Sequence, residues 1–197
     1  MKLSDYIAEF IAELGVRHVF VISGGAAVHM IDSVDKHPKL DFVCPQHEQG
    51  GGAAADTYSR VSENIGVMIT TSGPGATNLV TSVCNAYFDS IPVLFLTGQV
   101  ASFRLRPTPK LRQKGFQETD VVSIFASITK YAKLVLRAED IRYELEKAVY
   151  YAREGRPGPV LLDIPDDFSR AEIEPKKLRS FHSPVRKTPS IASKIRS

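Results

Sequence analysis

The sequence has few of the residues that mark disulfide-rich, metal-binding or membrane-spanning proteins. Its 197 residues include two cysteines, too few for a disulfide framework and without the spacing of metal ligands. No apolar run approaches the roughly 20 residues that a membrane helix needs, and the amphipathic, acidic N-terminal stretch is not expected to be a signal peptide. We therefore expect a reduced, cytoplasmic, globular protein without a membrane partner.

Apart from its C-terminal segment, the chain has no large excess of charge of either sign. The formal net charge is +3, but residues 174–197 hold seven Lys or Arg and one acid, so this segment carries +6 and the remainder −3. Because most of the chain is mildly acidic, its basic pI is no reason to expect nucleic-acid binding. We predict that residues 1–172 form one domain and that the basic, proline-containing residues 173–197 form a poorly ordered linker or tail.

Several common ligand-binding motifs are absent as well. The sequence lacks Gly-x-x-x-x-Gly-Lys-[Ser/Thr], which argues against a phosphate-binding P-loop. It also lacks Gly-x-Gly-x-x-Gly, which weakens a dinucleotide-binding interpretation. We predict no metal ligand in this chain.

What the chain does contain is an alternation of apolar strands and amphipathic helices. Continuous apolar runs at residues 19–22, 93–96 and 160–162 are typical of parallel strands buried on both faces. The predicted strands are 18–22, 42–44, 66–70, 93–97, 131–136 and 159–164. The predicted helices are 5–14, 27–35, 48–62, 77–89, 120–127 and 138–153. This alternation predicts an α/β fold, a doubly wound, six-stranded and mostly parallel sheet with helices on both faces.

Short loops of small or polar residues follow four of the predicted strands. They are residues 23–25, 46–48, 72–75 and 98–99. Because the carboxyl ends of parallel strands meet at one edge of a sheet, we expect these loops to converge on a ligand site.

Glu48 stands at the start of a helix that continues with three consecutive glycines and three alanines. Its carboxylate has two interpretations, a stabilising charge at the helix N-terminus or a functional acid held against a cofactor. Three glycines cost a helix roughly 0.8–1 kcal/mol each relative to alanine, which indicates that another surface approaches closely. The preceding His47 is a candidate general base, although a hydrogen-bonded structural role is commoner for a histidine in a tight turn.

The long connection after the fourth predicted strand is basic. Residues 103–115 contain five Lys or Arg and no acid. Such a run is commonly a solvated surface loop, and the alternative is a loop that attracts an anionic substrate. Phe116 and Gln117, at its end, are candidate pocket residues.

Six segments of the chain occur in the order and approximate spacing of the acetolactate synthase catalytic subunit. They are QHEQGG, TSGPGATNLV, DSIPVLFLTGQV, GFQETD, SITKYA and GRPGPVLLDIP. Over residues 1–170 the chain therefore resembles thiamine-diphosphate enzymes of the acetolactate synthase and pyruvate oxidase type. The resemblance implies the N-terminal pyrimidine-binding domain of an enzyme that decarboxylates pyruvate and ligates the two-carbon unit to a second 2-keto acid.

The resemblance also implies roles for particular residues. Glu48 would hydrogen-bond N1′ of the aminopyrimidine of thiamine diphosphate, which favours the imino tautomer whose 4′-nitrogen deprotonates C2 of the thiazolium. Gln117 is the second catalytic residue implied, and with Phe116 it matches positions beside the cofactor and the bound substrate. The further cofactor-binding positions implied are Ser23, Gly24, Gly25, Pro74 and Asn78.

Two positions depart from the family pattern. Ser23 replaces the first proline of a Pro-Gly-Gly loop, and Asp166 stands where the synthases carry a lysine near the flavin and the substrate entrance. The resemblance therefore leaves open whether FAD binds. The alternative functions are a related thiamine-diphosphate decarboxylase or carboligase for another 2-keto acid, and a non-catalytic α/β assembly module.

The family's diphosphate and Mg²⁺ signature, Gly-Asp-Gly followed by Asn, does not occur in this sequence. The resemblance implies that Mg²⁺ is bound by a domain outside this chain, in a longer polypeptide. It also implies that the pyrimidine-binding domain of one subunit faces the pyrophosphate-binding domain of another. We therefore expect a homodimer or tetramer, a 2-keto acid substrate, and no nucleic-acid partner.

Overall fold

The computed structural model describes residues 1–183, and their strands form one six-stranded sheet. The strands are β1 (His18–Val21), β2 (Asp41–Val43), β3 (Gly66–Thr70), β4 (Val93–Gln99), β5 (Tyr131–Leu134) and β6 (Val160–Pro165). The helices are α1 (Leu3–Glu13), α2 (Val28–Lys36), α3 (Glu48–Ser62), α4 (Pro74–Thr77), α5 (Val80–Asp89), α6 (Val121–Phe125), α7 (Ile141–Arg153) and α8 (Asp166–Ser169). Short 3₁₀ turns lie at Ser102–Arg104, Ala138–Asp140 and Pro175–Lys177.

The strand order is β2-β1-β3-β4-β6-β5, and every strand pair is parallel. The predicted α/β class is thus confirmed, with a sheet that is wholly rather than mostly parallel. The chain moves from β1 to β2 in one direction and from β3 to β4 in the other. Such a change of direction opens a crevice beyond the carboxyl ends of the two strands, where ligands of open α/β sheets bind.

Helices cover both faces of the sheet. One cluster of buried side chains joins α1, α2 and α7 to strand residues such as Leu94 and Leu96. A second joins α3, α4, α5 and α6 to strand residues such as Met68 and Phe95. Neighbouring residues of β4 therefore contribute to opposite clusters, as strand geometry requires. The continuous apolar runs in the sequence reflect this burial on both faces.

Two local predictions were wrong. Helix α1 begins at Leu3, before the predicted start at residue 5, with Lys2 at its N-cap. Ser4 lies within the helix and is buried, where its Oγ accepts a hydrogen bond from Ser33 Oγ at 2.8 Å. The helix expected over residues 77–89 begins only at Val80, as α5, and the separate short helix α4 precedes it. They are separated where the N–H of Leu79 bonds to the carbonyl of residue 76, three positions back, in a tighter turn.

The described part of the predicted tail, residues 173–183, packs against α7. Leu178 is buried, and the ring of Phe181 lies 5.4 Å from that of Tyr150, centroid to centroid. The domain boundary at residue 172 stays a prediction. Residues 184–197 of the predicted tail lie outside the described residues.

Two of the three consecutive glycines in α3 contact the interior of the domain. A Cβ at Gly51 would lie 2.6 Å from the Met68 side chain, and one at Gly52 would lie 2.5 Å from Ser82 Cβ. A Cβ at Gly50 would meet nothing within 4 Å. The close approach predicted at this helix is therefore made largely by β3 and α5 of the same domain, and Gly50 alone of the three leaves room for another molecule.

This difference predicts opposite effects for two identical substitutions. Gly52→Ala should destabilise the domain by about 1–3 kcal/mol, because Ser82 Cβ cannot move without shifting α5. Gly50→Ala should stabilise it by up to about 1 kcal/mol through helix propensity. Urea unfolding followed by circular dichroism measures both changes. Equal midpoints for the two variants would contradict the packing described for Gly52.

Candidate functional site

Thr71 holds together the loops that follow β1 and β3. A Cβ at Gly24 would lie 2.4 Å from Thr71 Cβ, and Thr71 Oγ1 accepts a hydrogen bond from the backbone N–H of Ala26 at 3.3 Å. The first loop, which begins at Ser23, is therefore supported by Thr71. Ser23 and Gly25 are exposed beside this contact. Sequence reasoning missed Thr71, because nothing in its neighbourhood shows that it faces a loop more than forty residues earlier.

Glu48 lies at the first position of α3 with its side chain 13% exposed. Its Oε2 accepts a hydrogen bond from Asn78 Nδ2 at 2.9 Å. Its Oε1 is 3.5 Å from the place a Cβ would take at Gly75, and no donor within residues 1–183 bonds to it. The carboxylate is thus fixed through one oxygen and open to a ligand through the other.

His47 serves the same helix as its N-cap. Its Nδ1 accepts a hydrogen bond from the backbone N–H of Gln49 at 3.1 Å, which satisfies one of the free donors at the start of α3. The structure thus shows His47 in the structural role, as the N-cap of α3.

Gln117 contacts the loop after β3 through an unusual backbone conformation. Its φ is 61° and that of Gly73 is 59°, and a Cβ at Gly73 would lie 2.8 Å from Gln117 Cβ. A non-glycine residue at positive φ is uncommon and is often found at a functional site. The contact fixes the end of the basic connection against the small-residue loop after β3.

A cavity of about 390 Å³ lies where these loops meet. Gly25, Thr71, Phe116 and Gln117 are among the residues that line it, and Glu48 is not. The structure therefore divides the predicted site residues into two groups. Gly25, Phe116 and Gln117 share the cavity, while Glu48 and Asn78 pair beside the neighbouring α4, whose first residue is the exposed Pro74.

The carboxylate of Glu118 organises the basic connection. It accepts hydrogen bonds from the backbone N–H groups of Arg106 and Lys114, both at 2.7 Å, and of Gly115 at 3.2 Å. Burial favours its neutral form, but these three bonds favour the carboxylate and hold the pKa of Glu118 below its ordinary value. Through Glu118, the loop segment at Arg106 is therefore held against the segment at Lys114 and Gly115, next to Phe116 and Gln117. Sequence reasoning missed this role, although Glu118 lies in the GFQETD segment.

The acids that follow β6 anchor the other side of the cavity. Asp167 accepts hydrogen bonds from Ser102, through the backbone N–H at 2.7 Å and the hydroxyl at 2.6 Å. Asp166 lines the cavity and pairs with Arg170 at 3.2 Å. His29 Nε2 is 3.8 Å from the same carboxylate. The charge of Asp166 is therefore compensated by Arg170.

A further carboxyl group, Asp163 on β6, is buried in the sheet. Its two oxygens accept hydrogen bonds from Thr97 Oγ1 at 2.7 Å and from Gln99 Nε2 at 2.8 Å. Burial raises the pKa of Asp163 to about 7, although both hydrogen bonds lower it. Sequence reasoning gave this residue no role.

Within residues 1–183, no group of three or more His, Cys, Asp or Glu side chains is arranged to hold a metal ion. None of the helices in the same part of the chain is long and apolar enough to cross a membrane.

The fold and the site together define an α/β domain that offers one carboxylate and several small-residue loops to a ligand at the switch point of its sheet. Residues 1–124 match the family described as thiamine pyrophosphate enzyme, N-terminal TPP binding domain. The chain belongs to this family, which confirms the resemblance found in the sequence.

The similarity to known proteins extends beyond residue 124. The chain is 39% identical over 194 residues to acetolactate synthase 2, chloroplastic, of Nicotiana tabacum, which covers 96% of this chain and 28% of that protein. It is 41% identical over 169 residues to acetolactate synthase, chloroplastic, of Arabidopsis thaliana, covering 86% and 24%. It is 39% identical over 170 residues to the acetolactate synthase large subunit of Lactococcus lactis, covering 86% and 28%. The chain thus spans about a quarter of the length of these relatives.

Proposed function

We propose that this chain is the pyrimidine-binding domain of an acetolactate-synthase-like enzyme. The enzyme would decarboxylate pyruvate with thiamine diphosphate and ligate the two-carbon unit to a second 2-keto acid. The observation that carries the proposal is the Glu48 carboxylate, with Oε2 fixed by Asn78 and Oε1 free to meet a ligand. The names of the three relatives support the reaction.

The residues of the site fit the aminopyrimidine of the cofactor. Oε1 of Glu48 is an acceptor without a protein donor in the described chain, so it can hold a proton at N1′ of the pyrimidine. Asn78 fixes the orientation of that carboxylate. When bound, thiamine diphosphate supplies the electron sink for loss of carbon dioxide. The residues that would line the pyrimidine are Ser23, Gly24, Gly25 and Pro74.

The substrate would lie in the cavity between the loops. Phe116 is largely exposed there and offers an apolar face, while Gln117 is held in place by its contact with Gly73. We assign Gln117 a catalytic role beside the reacting atoms and Phe116 a role in packing against the substrate. These roles rest on the shared cavity and on the family resemblance.

The rest of the enzyme would lie outside this chain. We propose that a separate domain binds Mg²⁺ and the diphosphate, and that a second subunit supplies this domain in a homodimer or tetramer. The outward sides of α3 and α5 support such a contact, since they expose the uncharged Gly50 together with Val61 at 81% and Phe88 at 66%. FAD is not part of this proposal, because Asp166 replaces the lysine near the flavin.

The cytoplasmic location predicted from the sequence stays a prediction. The names of the tobacco and Arabidopsis relatives give a chloroplast location for those proteins.

A second candidate keeps the cofactor and changes the substrate. Asp166, paired with Arg170 inside the cavity, gives this region a different charge from the lysine that the synthases carry. A decarboxylase or carboligase that acts on another 2-keto acid would fit this difference.

An assay of the complete polypeptide that carries residues 1–197 tests both candidates. With thiamine diphosphate, Mg²⁺ and pyruvate, we expect acetolactate to form, and we expect no turnover by residues 1–197 alone. Cofactor binding without pyruvate consumption would favour the second candidate. Failure to bind thiamine diphosphate would contradict both and leave the non-catalytic assembly module.

A further inference from the structure

We propose that Gln99 and Asp163, two buried side chains near the carboxyl ends of β4 and β6, position Gln117 for catalysis. This inference rests on the proposed function, in which Gln117 acts beside the reacting atoms. Neither Gln99 nor Asp163 lines the cavity that Gln117 shares with Phe116. Both are therefore positioning residues, which act on the reaction through the backbone of the loop that carries Gln117.

Gln117 occupies a backbone conformation that needs support from its surroundings. Its φ of 61° lies in the left-handed region, which is uncommon for a residue with a side chain. Such conformations persist only where the surrounding structure holds them in place. The contact with Gly73 supports Gln117 from the loop after β3. The segment that follows Gln117 in the chain requires an attachment of its own.

Gln99 makes this second attachment. Its Nε2 donates a hydrogen bond to the backbone carbonyl of Thr119, two residues after Gln117, at 2.9 Å. The same Nε2 donates to Asp163 Oδ2 at 2.8 Å, and Oε1 accepts from the backbone N–H of Val100 at 2.9 Å. Within residues 1–183, the bond from Gln99 to Thr119 is the hydrogen bond that joins residues 115–120 to a strand of the sheet.

These three hydrogen bonds leave the Gln99 amide one orientation. Turned over, the amide would place its oxygen against two acceptors and its NH₂ group against the N–H of Val100. Asp163 is itself held by Thr97, whose Oγ1 donates to its Oδ1 at 2.7 Å. Gln99 and Asp163 are each 1% exposed, so bulk water cannot replace a lost partner. Asp163 therefore fixes Gln99, and Gln99 fixes the carbonyl of Thr119.

The loop segment at Thr119 also lies between two cavities. Phe116 and Gln117 line the cavity of the proposed site. Thr119 lines a second cavity of about 400 Å³, together with Gln99 and Asp163. Because there is open space on both sides, side-chain packing alone does not hold the segment in place. The hydrogen bond from Gln99 therefore has a direct effect on where Gln117 lies.

A double-mutant cycle between Gln99→Met and Gln117→Ala tests this inference in the complete polypeptide that carries residues 1–197. With thiamine diphosphate, Mg²⁺ and saturating pyruvate, we expect Gln99→Met to lower kcat for acetolactate formation about 10–100-fold, because a displacement of about 1 Å can cost that much. In the Gln117→Ala background, the same substitution should lower kcat less than about twofold, since the side chain that Gln99 positions is gone. The dissociation constant of thiamine diphosphate should change less than about threefold, because the loops proposed to bind the pyrimidine keep their contacts.

Thr97→Val is the matched control. It removes the hydrogen bond to the other oxygen of Asp163, at an equally buried position, but Thr97 makes no bond to residues 115–120. Its kcat should stay within about threefold of the wild type. Asp163→Leu removes the acceptor that holds Gln99 and should lower kcat, whereas Asp163→Asn keeps an acceptor and should restore part of the loss. Circular dichroism spectra establish that each variant is folded.

The outcomes separate this inference from the proposed function. Equal effects of Gln99→Met in the two backgrounds would overturn the inference alone, as would an equally large fall in Thr97→Val. A Gln117→Ala rate close to that of the wild type would contradict the role of Gln117 and this inference with it. A wild-type protein that forms no acetolactate would contradict the proposed function itself. If Gln99→Met does not fold, Gln99→Asn, which is one methylene shorter, is put through the same cycle.

Discussion

We expect Glu48→Gln to lower acetolactate formation by the complete polypeptide roughly 10²–10⁴-fold, the range that a positioned acid–base group supplies. Glutamine keeps the size of the side chain and can still meet Asn78, but its amide cannot share a proton with N1′ of a pyrimidine. The loss should appear in kcat at saturating cofactor rather than as loss of the fold. Initial rates with pyruvate, together with circular dichroism spectra, measure both.

Glu63→Gln is the matched control, because it makes the same change at the other end of α3 on an exposed residue. It should leave the rate within twofold of the wild type. A Glu48→Gln rate within tenfold of the wild-type rate would contradict the proposed role of Glu48. The non-catalytic assembly module would then be the better interpretation of this domain.

The second large effect concerns stability, and it comes from Asp163. Its folded-state pKa is raised from 3.8 to about 7, so between these values the folded protein keeps a proton that the unfolded chain has released. The stability that this proton contributes is fully present below pH 3.8 and is lost as the pH rises through 7. The difference between 3.8 and about 7 corresponds to a free energy on the order of 4 kcal/mol.

Asp163→Asn stays uncharged over this whole range, so it should not lose that stability. We expect its free energy of unfolding, relative to the wild type, to increase by a few kcal/mol between pH 4 and pH 8, in line with the pKa difference. Urea unfolding at several pH values measures the change. The contributions of the other titrating groups cancel in the difference, because both proteins have these groups. Asp35→Asn, at an exposed acid, should show no such trend. A difference that does not vary with pH would show that Asp163 is ionised in the folded state at both ends of the range.

The fold was predictable because its signals are local. Strand β3 and helix α3 have the predicted bounds. Each is marked by residues that follow one another in the sequence, the apolar run for the strand and the start at Glu48 for the helix. The break between α4 and α5 was not predictable from periodicity, because the tighter turn at Leu79 keeps a helical pattern of side chains. Boundaries of this kind depend on hydrogen-bond geometry rather than on composition.

The sequence singled out Glu48 and the small-residue loops, whose roles stay predictions, but it did not single out the side chains that support them. Glu48 stood out because of its position before the glycines. Thr71 and Asp163 were missed because each acts through partners that are distant in the sequence, such as Gly24 for Thr71. Glu118 was missed because its partners are backbone N–H groups, which no pattern of side chains marks. The close approach at the glycines was predicted but not the surface that makes it, because a sequence does not distinguish contact with a cofactor from contact with the domain's own Ser82.

The three backbone bonds to Glu118 have a consequence for how this domain can change in evolution. They join Arg106 to Gly115 through one carboxylate, so residues 107–113 form a side loop whose two ends are already fixed. Lengthening such a loop costs little free energy, roughly 0.6 kcal/mol for each doubling. Insertions and deletions there would leave Gln117 and the cavity lining in place, because none of residues 107–113 lines the cavity. Related sequences can therefore vary in length and charge along this side loop without moving Phe116 and Gln117.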